Sequence, residues 1–134
     1  MNFVKDLPFV SEVQTLGPDQ TVADAVELFQ NHKIGSVVIV DRDSRVLGIF
    51  TERDYIYKVA GEVEGSESDP ISKHMTANPK AVNLEDQILK ASISMRLGRF
   101  RHVVVVNDAN RLVGVISIKD LLDWSMDKVS EVKS

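Results

Sequence analysis

Short runs of apolar, mostly β-branched residues mark the chain at regular intervals. The runs at 37–40 and 103–106 are uninterrupted, which is typical of a strand buried on both faces. Each is followed by a polar turn, at 41–44 or 107–110, and then by a second apolar run, at 46–50 or 112–116. Because the turns are so short, we predict that each pair of runs forms a β-hairpin.

Apolar residues at helical spacing precede each of these hairpins. In the first half, Thr21 and Asp24 have the spacing of a helix capping box. The apolar residues that follow Thr21 recur at intervals of three and four: Val22, Ala25, Val26 and Phe29. The counterpart further along the chain, weakened by Ser92, carries Ile88, Ala91 and Met95. The pattern predicts a helix before each hairpin and a second helix after Thr51 and after Ser117.

The chain is an internal duplication. Shifted by 66 positions, as from Asp54 to Asp120, the two halves align without a gap. Each half reads as strand–helix–strand–strand–helix, and a unit of about 60 residues buries too little surface to be stable by itself. We therefore predict an α/β (α+β) fold in which two pseudo-twofold-related β-α-β-β-α repeats pack sheet to sheet. The expected limits are 8–60 and 71–126 for the repeats, 61–70 for an acidic, mobile linker and 127–134 for a C-terminal tail.

Composition and charge narrow the class of protein. The 134 residues are 43% hydrophobic and 27% charged, with a net charge of −4, as in an ordinary soluble globular protein. Lys and Arg are scattered rather than clustered for nucleic acid, and no apolar run approaches the ~20 residues of a membrane helix. The absence of cysteine excludes disulfides and thiolate metal sites. With no export signal at the N-terminus, we expect a cytoplasmic protein without nucleic-acid or membrane partners.

One motif occurs in both halves: Gly, two apolar residues, Thr or Ser, and Asp three positions later, at 48–54 and 114–120. Thr or Ser followed by an acid at that spacing is close to a helix capping box, so the motif taken singly favours a cap. A ligand role is the alternative. The hydroxyl and the helix N-terminus suit a phosphate, and an ionised Asp can accept hydrogen bonds from two ribose hydroxyls. Residue types leave both interpretations open and do not name a base.

With these motifs in this order, the chain resembles the CBS (cystathionine β-synthase) domain family from about Val10 to Trp124. The resemblance rests on the duplicated motif and on the stretches 19–25, 37–41 and 99–105. The chain departs from the family at Val38 and Val104, where members often carry proline, and at Asn107, where Asp is usual. The family implies a stand-alone, non-catalytic Bateman module that often forms a disc-like homodimer. It also implies a regulatory ligand, AMP, ADP, ATP or S-adenosylmethionine, and no required cofactor.

The resemblance further implies two ligand clefts between the halves, each pairing the Asp of one repeat with the strand start of the other. The first would combine Ile49, Thr51, Asp54, Thr76, Lys80, Arg101 and His102. The second would combine Val115, Ser117, Asp120, Gln14, Gly35 and Ser36. The first gathers the cations Lys80, Arg101 and His102, with Arg53 a further candidate, whereas the second has only Lys119 or Lys33 nearby. We therefore expect a phosphorylated nucleotide at Asp54 and a weaker, empty or uncharged-adenosyl site at Asp120.

Three functions follow from this reading. The leading one is a sensor of adenosine-containing nucleotides that regulates another protein, which the sequence does not identify. The alternative is a dimerisation or partner-docking domain with empty clefts. A nucleotide-processing enzyme comes third, because no general base, metal cluster or P-loop is present, and we assign no catalytic residue. The apolar residues after the two motifs are expected in the core or at a homodimer contact: Tyr55, Ile56, Val59, Ala60, Leu121, Leu122, Trp124 and Met126.

Overall fold

The computed structural model describes residues 2–9, 13–61 and 66–133. They divide into two compact units. The first unit comprises 13–61, 66–79 and 110–112, and the second comprises 2–9, 80–109 and 113–133. The second unit therefore draws on both ends of the chain, since its first segment precedes the whole of the first unit in sequence.

The first unit is a four-stranded sheet with helices. Its elements in chain order are β1 (Thr15–Leu16), α1 (Val22–His32), β2 (Ser36–Val40), β3 (Val46–Thr51), α2 (Glu52–Asp54) and β4 (Thr76–Ala77). The strand order is β1-β2-β3-β4. The pair β1–β2 is parallel, and the pairs β2–β3 and β3–β4 are antiparallel. The predicted hairpin at 36–51 is thus confirmed.

The second unit repeats this order with a three-stranded sheet. Its elements are β5 (Ala81–Val82), α3 (Ile88–Gly98), β6 (His102–Val106), β7 (Leu112–Ser117) and α4 (Ile118–Lys133), and the strand order is β5-β6-β7. The mixed α/β class and the β-α-β-β-α order of each half are confirmed. No helix in the described ranges is both long enough and apolar enough to cross a membrane.

Local signals explain where α1 begins and how the hairpin turns. The Asp24 amide donates to Thr21 Oγ1 (3.2 Å), and the Thr21 amide donates to Asp24 Oδ2 (2.9 Å), so the predicted capping box forms. In the hairpin turn Asp41 Oδ1 accepts from the amides of Asp43 (2.8 Å) and Arg45 (2.9 Å). This Asx-type turn fixes the register of β2 against β3.

The duplication extends to backbone conformation. Lys33 and Arg99, 66 positions apart, end α1 and α3 in the left-handed region at φ 52° and 55°. Ser44 and Asn110, at the same offset, close the two turns at φ 65° and 62°. L-residues adopt this conformation only at a cost, so four such positions in two matched pairs reflect one repeated backbone path.

The apolar residues that recur at helical spacing pack into the two cores. Val22 and Ala25 of α1 pack with Val37, Ile39 and Phe50 in the first unit. The corresponding residues of α3 pack with β6 in the second, namely Ile88, Ala91, Met95, Val103 and Val105. The middle residues of β2 and β6 have no exposed surface, as expected for strands covered on both faces.

The N-terminal segment belongs to the core of the second unit. Val4 (0% exposed) and Leu7 (5% exposed) pack against Val82 and Ile88. The Val4 amide donates to the Asp86 carbonyl and the Ile88 amide to the Asn2 carbonyl, both at 2.8 Å. No local pattern in the sequence predicts this long-range pairing.

The segment expected as a mobile linker is in part firmly held. Residues 62–65 lie outside the described residues. Beyond them, the Val22 amide donates to the Asp69 carbonyl (3.1 Å), and the Ile71 amide donates to the Gln20 carbonyl (2.6 Å). Because Ile71 is also fully buried, residues 66–71 are an integral part of the first unit.

Two helices differ from expectation in length. The helix after Thr51 has only three α-helical residues and continues as a π-helical turn, Tyr55–Val59, closed by the bond from the Ala60 amide to the Tyr55 carbonyl (2.8 Å). In the second unit α4 continues to Lys133 through most of the segment for which a tail is expected. No glycine or proline interrupts it there.

Candidate ligand-binding site

Both copies of the repeated motif form helix caps. The Asp54 amide donates to Thr51 Oγ1, and the Thr51 amide donates to Asp54 Oδ2, each at 3.0 Å. In the second unit the Asp120 amide donates to Ser117 Oγ (3.2 Å), and the Ser117 amide donates to Asp120 Oδ2 (2.7 Å). The capping interpretation is therefore correct for both motifs. A cap uses one oxygen of each carboxylate and leaves the second for another partner.

The second oxygen of Asp54 is already engaged. Lys58 Nζ lies 3.2 Å from Asp54 Oδ1 in an i,i+4 ion pair, and Thr76 Oγ1 donates to the same oxygen at 3.4 Å. Lys58 Nζ also donates to Thr76 Oγ1 (3.1 Å) and to the His74 carbonyl (3.2 Å). Lys58 was not among the predicted site residues, although it lies four residues after Asp54, the spacing at which helical side chains meet.

The second oxygen of Asp120 is open. Within the part of the chain that the structure describes, Asp120 Oδ2 accepts from the Ser117 amide and hydroxyl, the latter at 3.1 Å, and Asp120 Oδ1 accepts no hydrogen bond. The position equivalent to Lys58 is Trp124, which is partly buried against the core. The two duplicated carboxylates thus differ in how they are satisfied.

The predicted strand-start residues lie beside the motif of their own unit. Gly35 accepts at its carbonyl from the Glu52 amide (3.0 Å), and Ser36 is the register partner of Thr51. In the second unit Arg101 accepts in the same way from the Ile118 amide (2.9 Å), immediately before His102 opens β6. Each strand start is therefore bonded to the residue that follows the Thr or Ser of the neighbouring motif.

The remaining predicted residues lie on, or directly before, other strands of the two units. In the first unit Ile49 is the register partner of Thr76, and the Gln14 carbonyl accepts from the Val38 amide (3.3 Å). In the second unit Lys80 accepts in the equivalent way from the Val104 amide (3.2 Å), and Val115 lies in β7. Each unit thus contains some of the predicted ligand residues. The two clefts that would combine residues of both repeats stay a prediction.

The glycine of the first motif is required by packing. A Cβ built on Gly48 would lie 2.4 Å from Met75 Sδ and 2.9 Å from the Thr76 carbonyl oxygen. Gly48 is the register partner of Ala77, so the absent side chain lets β4 approach β3. This approach brings the Thr76 hydroxyl within reach of Asp54.

The other predicted cations have local partners. Lys119 pairs with Asp123 at 3.0 Å, and this pairing raises the pKa of Lys119. The guanidinium of Arg53 lies 5.5 Å from the centre of the Tyr57 ring. Lys33 is exposed at the end of α1. Across the described residues, no group of three or more His, Cys, Asp or Glu is placed to hold a metal ion.

A hydrogen bond joins His74 to Asp69 in the segment that carries the His74 carbonyl. His74 Nε2 lies 2.9 Å from Asp69 Oδ2, and the His74 side chain is 13% exposed. The bond to His74, helped by the charge of Lys73, lowers the pKa of Asp69. On the other side Tyr55 donates its hydroxyl to Glu67, which raises the pKa of Tyr55. These contacts support the position of the His74 carbonyl, to which Lys58 donates.

The first unit also has a cavity of about 550 Å³ that contains none of the predicted ligand residues. It lies where β1 and β2 end. It is lined by Thr15, Leu16, Gly17, Pro18, Asp19, Gln20, Val40, Asp41 and Arg42.

The apolar residues after the motifs divide between core and surface. Val59 is buried, and Tyr55, Leu121 and Trp124 pack against the two cores. Three others are exposed by 60% or more: Ile56, Leu122 and Met126. On α4 the exposed set also includes Ile118 and Val129, and a second exposed row on α3 was not anticipated: Leu89, Ile93 and Leu97.

The fold and the paired motifs define a tandem repeat of one small α/β module, and comparison with known proteins gives its family. The CBS domain matches residues 4–61 and 71–127. The chain therefore belongs to the CBS domain family and carries a CBS pair over nearly its whole length, as the resemblance implied.

Similar proteins have the same fold. The crystal structure of the CBS-domain containing protein ATU1752 from Agrobacterium tumefaciens has a TM-score of 0.81 and 41% identity, covering 92% of this chain and 98% of that one. The CBS domain-containing protein YhcV of Bacillus subtilis is 28% identical over 121 residues, 90% of this chain and 84% of YhcV. A longer relative, the mitochondrial CBSX3 of Arabidopsis thaliana, is 33% identical, and the match covers 52% of it.

One solved structure of the same fold contains adenosyl compounds. The CBS domain pair of protein MJ0100, in complex with 5′-methylthioadenosine and S-adenosyl-L-methionine, has a TM-score of 0.83 and covers 94% of this chain and 97% of that one. The two sequences are 24% identical, so the likeness shows the fold alone.

Proposed function

We propose that this CBS pair is a non-catalytic regulatory module that binds an adenosine-containing ligand and thereby controls another protein. The observation that carries the proposal is the pair of motif carboxylates, Asp54 and Asp120, each held by a cap through its Oδ2 oxygen, which leaves the Oδ1 oxygen outside the cap. A carboxylate fixed in this way is preorganised to accept the two adjacent hydroxyls of a ribose. The complex of the MJ0100 pair with adenosyl compounds supports this ligand class.

The residues proposed to contact the ligand are those that the family resemblance implies. Asp54, Thr51, Ile49 and Thr76 act with Lys80, Arg101 and His102, and Asp120, Ser117 and Val115 act with Gln14, Gly35 and Ser36. AMP, ADP, ATP and S-adenosylmethionine are all candidate ligands. Control follows if the ligand binds one conformation of the pair more tightly than another, because only differential affinity shifts an equilibrium.

Calorimetric titration with AMP and with S-adenosylmethionine tests this function. We expect saturable binding to the wild-type chain, with the AMP signal lost in Asp54→Ala and retained in Asp120→Ala because the cations accompany Asp54. Equal losses in both variants would refute the unequal roles of the two sites. No heat with any adenosyl ligand, in protein shown to be free of bound nucleotide by mass spectrometry, would refute the sensor function.

A second function, dimerisation or partner docking, is favoured by the exposed apolar row on α4. Ile118, Leu122, Met126 and Val129 are 45–68% exposed and recur at intervals of three and four, so they share one helix face. We propose that this face forms a homodimer contact. Light scattering at micromolar concentration should give twice the mass of 14.9 kDa. Leu122→Glu should reduce it to the monomer mass, and a wild-type monomer would refute the contact.

A further inference from the structure

We propose that Lys58 is a specificity-determining residue that closes the Asp54 carboxylate to uncharged adenosyl ligands. The inference rests on the proposed function, because it concerns the same carboxylate that is to hold the ribose. It follows from a difference between the two repeats that the duplicated motif alone does not show.

The contacts of Lys58 saturate its ammonium group. An ammonium has three N–H donors, and Nζ of Lys58 has three partners, Asp54 Oδ1 at 3.2 Å, Thr76 Oγ1 at 3.1 Å and the His74 carbonyl at 3.2 Å. Two of these partners, Asp54 and Thr76, are themselves predicted ligand contacts. Lys58 therefore occupies the polar groups that a ribose would use.

The carboxylate of this ion pair is more buried than the ammonium. The Asp54 side chain is 16% exposed and that of Lys58 is 40% exposed. A ribose hydroxyl that donates to Asp54 Oδ1 must displace the ammonium or the Thr76 hydroxyl, because these two donors already fill the two acceptor positions of that oxygen. The displacement subtracts from the binding free energy of any ligand that offers nothing to the released ammonium.

The second repeat has no such closure. Sixty-six positions after Lys58 the chain carries Trp124, which packs against the core. The neighbouring Lys119 is held by Asp123 at 3.0 Å. Within the described residues Asp120 Oδ1 accepts no hydrogen bond, so an uncharged ribose can reach it without breaking a contact. Uncharged adenosyl ligands should therefore bind at Asp120 rather than at Asp54, because Lys58 obstructs the Asp54 carboxylate.

Adenosine is the probe that isolates this effect, because it carries the ribose but no phosphate that could attract the ammonium. Titrations are done with Asp120→Ala protein, in which Asp54 is the one remaining carboxylate of the two motifs. Adding Lys58→Met should tighten adenosine binding about two- to fivefold, the range expected for removing an ion pair of this exposure. Lys58→Arg keeps the charge and should give no gain. Adding Asp54→Ala to Lys58→Met should abolish the gain.

Lys90→Met in the same background is the matched control. Lys90 forms an i,i+4 ion pair with Asp86 at 3.1 Å, so this variant loses the same kind of pair and the same charge away from the motif. It should bind adenosine as its parent does. If the wild-type chain binds adenosine but Lys58→Met brings no gain, the inference about Lys58 is wrong and the proposed function stands. If none of these proteins binds adenosine, AMP, ADP, ATP or S-adenosylmethionine, both are wrong.

Discussion

Replacing Gly48 by alanine tests whether the glycine of the motif is required by packing between strands. The new Cβ would lie 2.4 Å from Met75 Sδ and 2.9 Å from the Thr76 carbonyl oxygen. The sulfur belongs to a flexible side chain and can move, but the carbonyl is part of β4 and can retreat only if the strand shifts. Overpacking of this kind costs about 1–3 kcal/mol. The smaller entropy of the unfolded alanine chain offsets about 0.4–1 kcal/mol of it.

Gly17→Ala separates these two contributions. At Gly17 the nearest atom to a new Cβ is Gln20 Oε1 at 3.9 Å, an ordinary van der Waals contact. Both substitutions lower the entropy of the unfolded chain by the same amount, so the difference between the free energies of unfolding of the two variants, measured by urea titration, isolates the clash at Gly48. We expect Gly48→Ala to be less stable than Gly17→Ala by about 1–3 kcal/mol. Adding Met75→Ala should recover part of the loss, because it removes the sulfur but not the Thr76 carbonyl.

The same substitution should weaken the proposed ligand site, since a displaced β4 carries the Thr76 hydroxyl away from Asp54. Gly48→Ala and Gly17→Ala proteins of equal stability would refute the packing argument. The glycine would then need another explanation, such as close approach of a ligand.

Three further predictions concern the described contacts. Lys33→Gly should raise the free energy of unfolding by about 0.5–1 kcal/mol, because glycine adopts the left-handed conformation at φ 52° without strain. Lys33→Ala is the control and should bring no such gain. An unchanged urea midpoint for the glycine variant would contradict this prediction. Ile71→Ala should lower stability by about 2–5 kcal/mol, because Ile71 is fully buried, and Ser72→Ala, at an exposed neighbour, serves as the control. The pKa of Asp69 lies below its ordinary value of 3.8 in the folded protein, so its ionised form stabilises the fold above that pH and the effect is lost as the pH falls through the lowered pKa. Asp69→Asn should therefore have a lower melting temperature than the wild type at pH 5, and this gap should close as the pH falls below 3.8 through the lowered pKa; a gap that persists in strong acid would count against the assignment.

The hairpins and long helices could be predicted because their signals are local. Uninterrupted β-branched runs around Val38 and Val104 predicted the buried strands, and the Thr21–Asp24 box predicted where α1 begins. Because the two halves align at an offset of 66 positions, each element predicted in one half could also be predicted in the other. The family followed from the order of these elements.

The remaining features depend on contacts between distant segments. The packing of Val4 against Val82 joins residues 78 positions apart, for which no periodicity gives a signal. The hydrogen bonds from residues 66–71 to Gln20 and Val22 were also not predicted, because an acidic, Gly/Ser-containing stretch is typical of a loop. The two sites were predicted to differ through the cations near each motif, but the ion pair of Lys58 with Asp54 was not predicted, although its i,i+4 spacing could have indicated it.

The contribution of residues 2–9 to the second unit sets an order for folding during synthesis. Residues 13–79 hold nearly all of the first unit, so most of that unit can form while translation is still under way. Val4 and Leu7 are synthesised before the first unit, yet the surface that buries them is synthesised after it, with Val82, Ile88 and the strands beyond. These two apolar residues must therefore stay exposed while the first unit is being made.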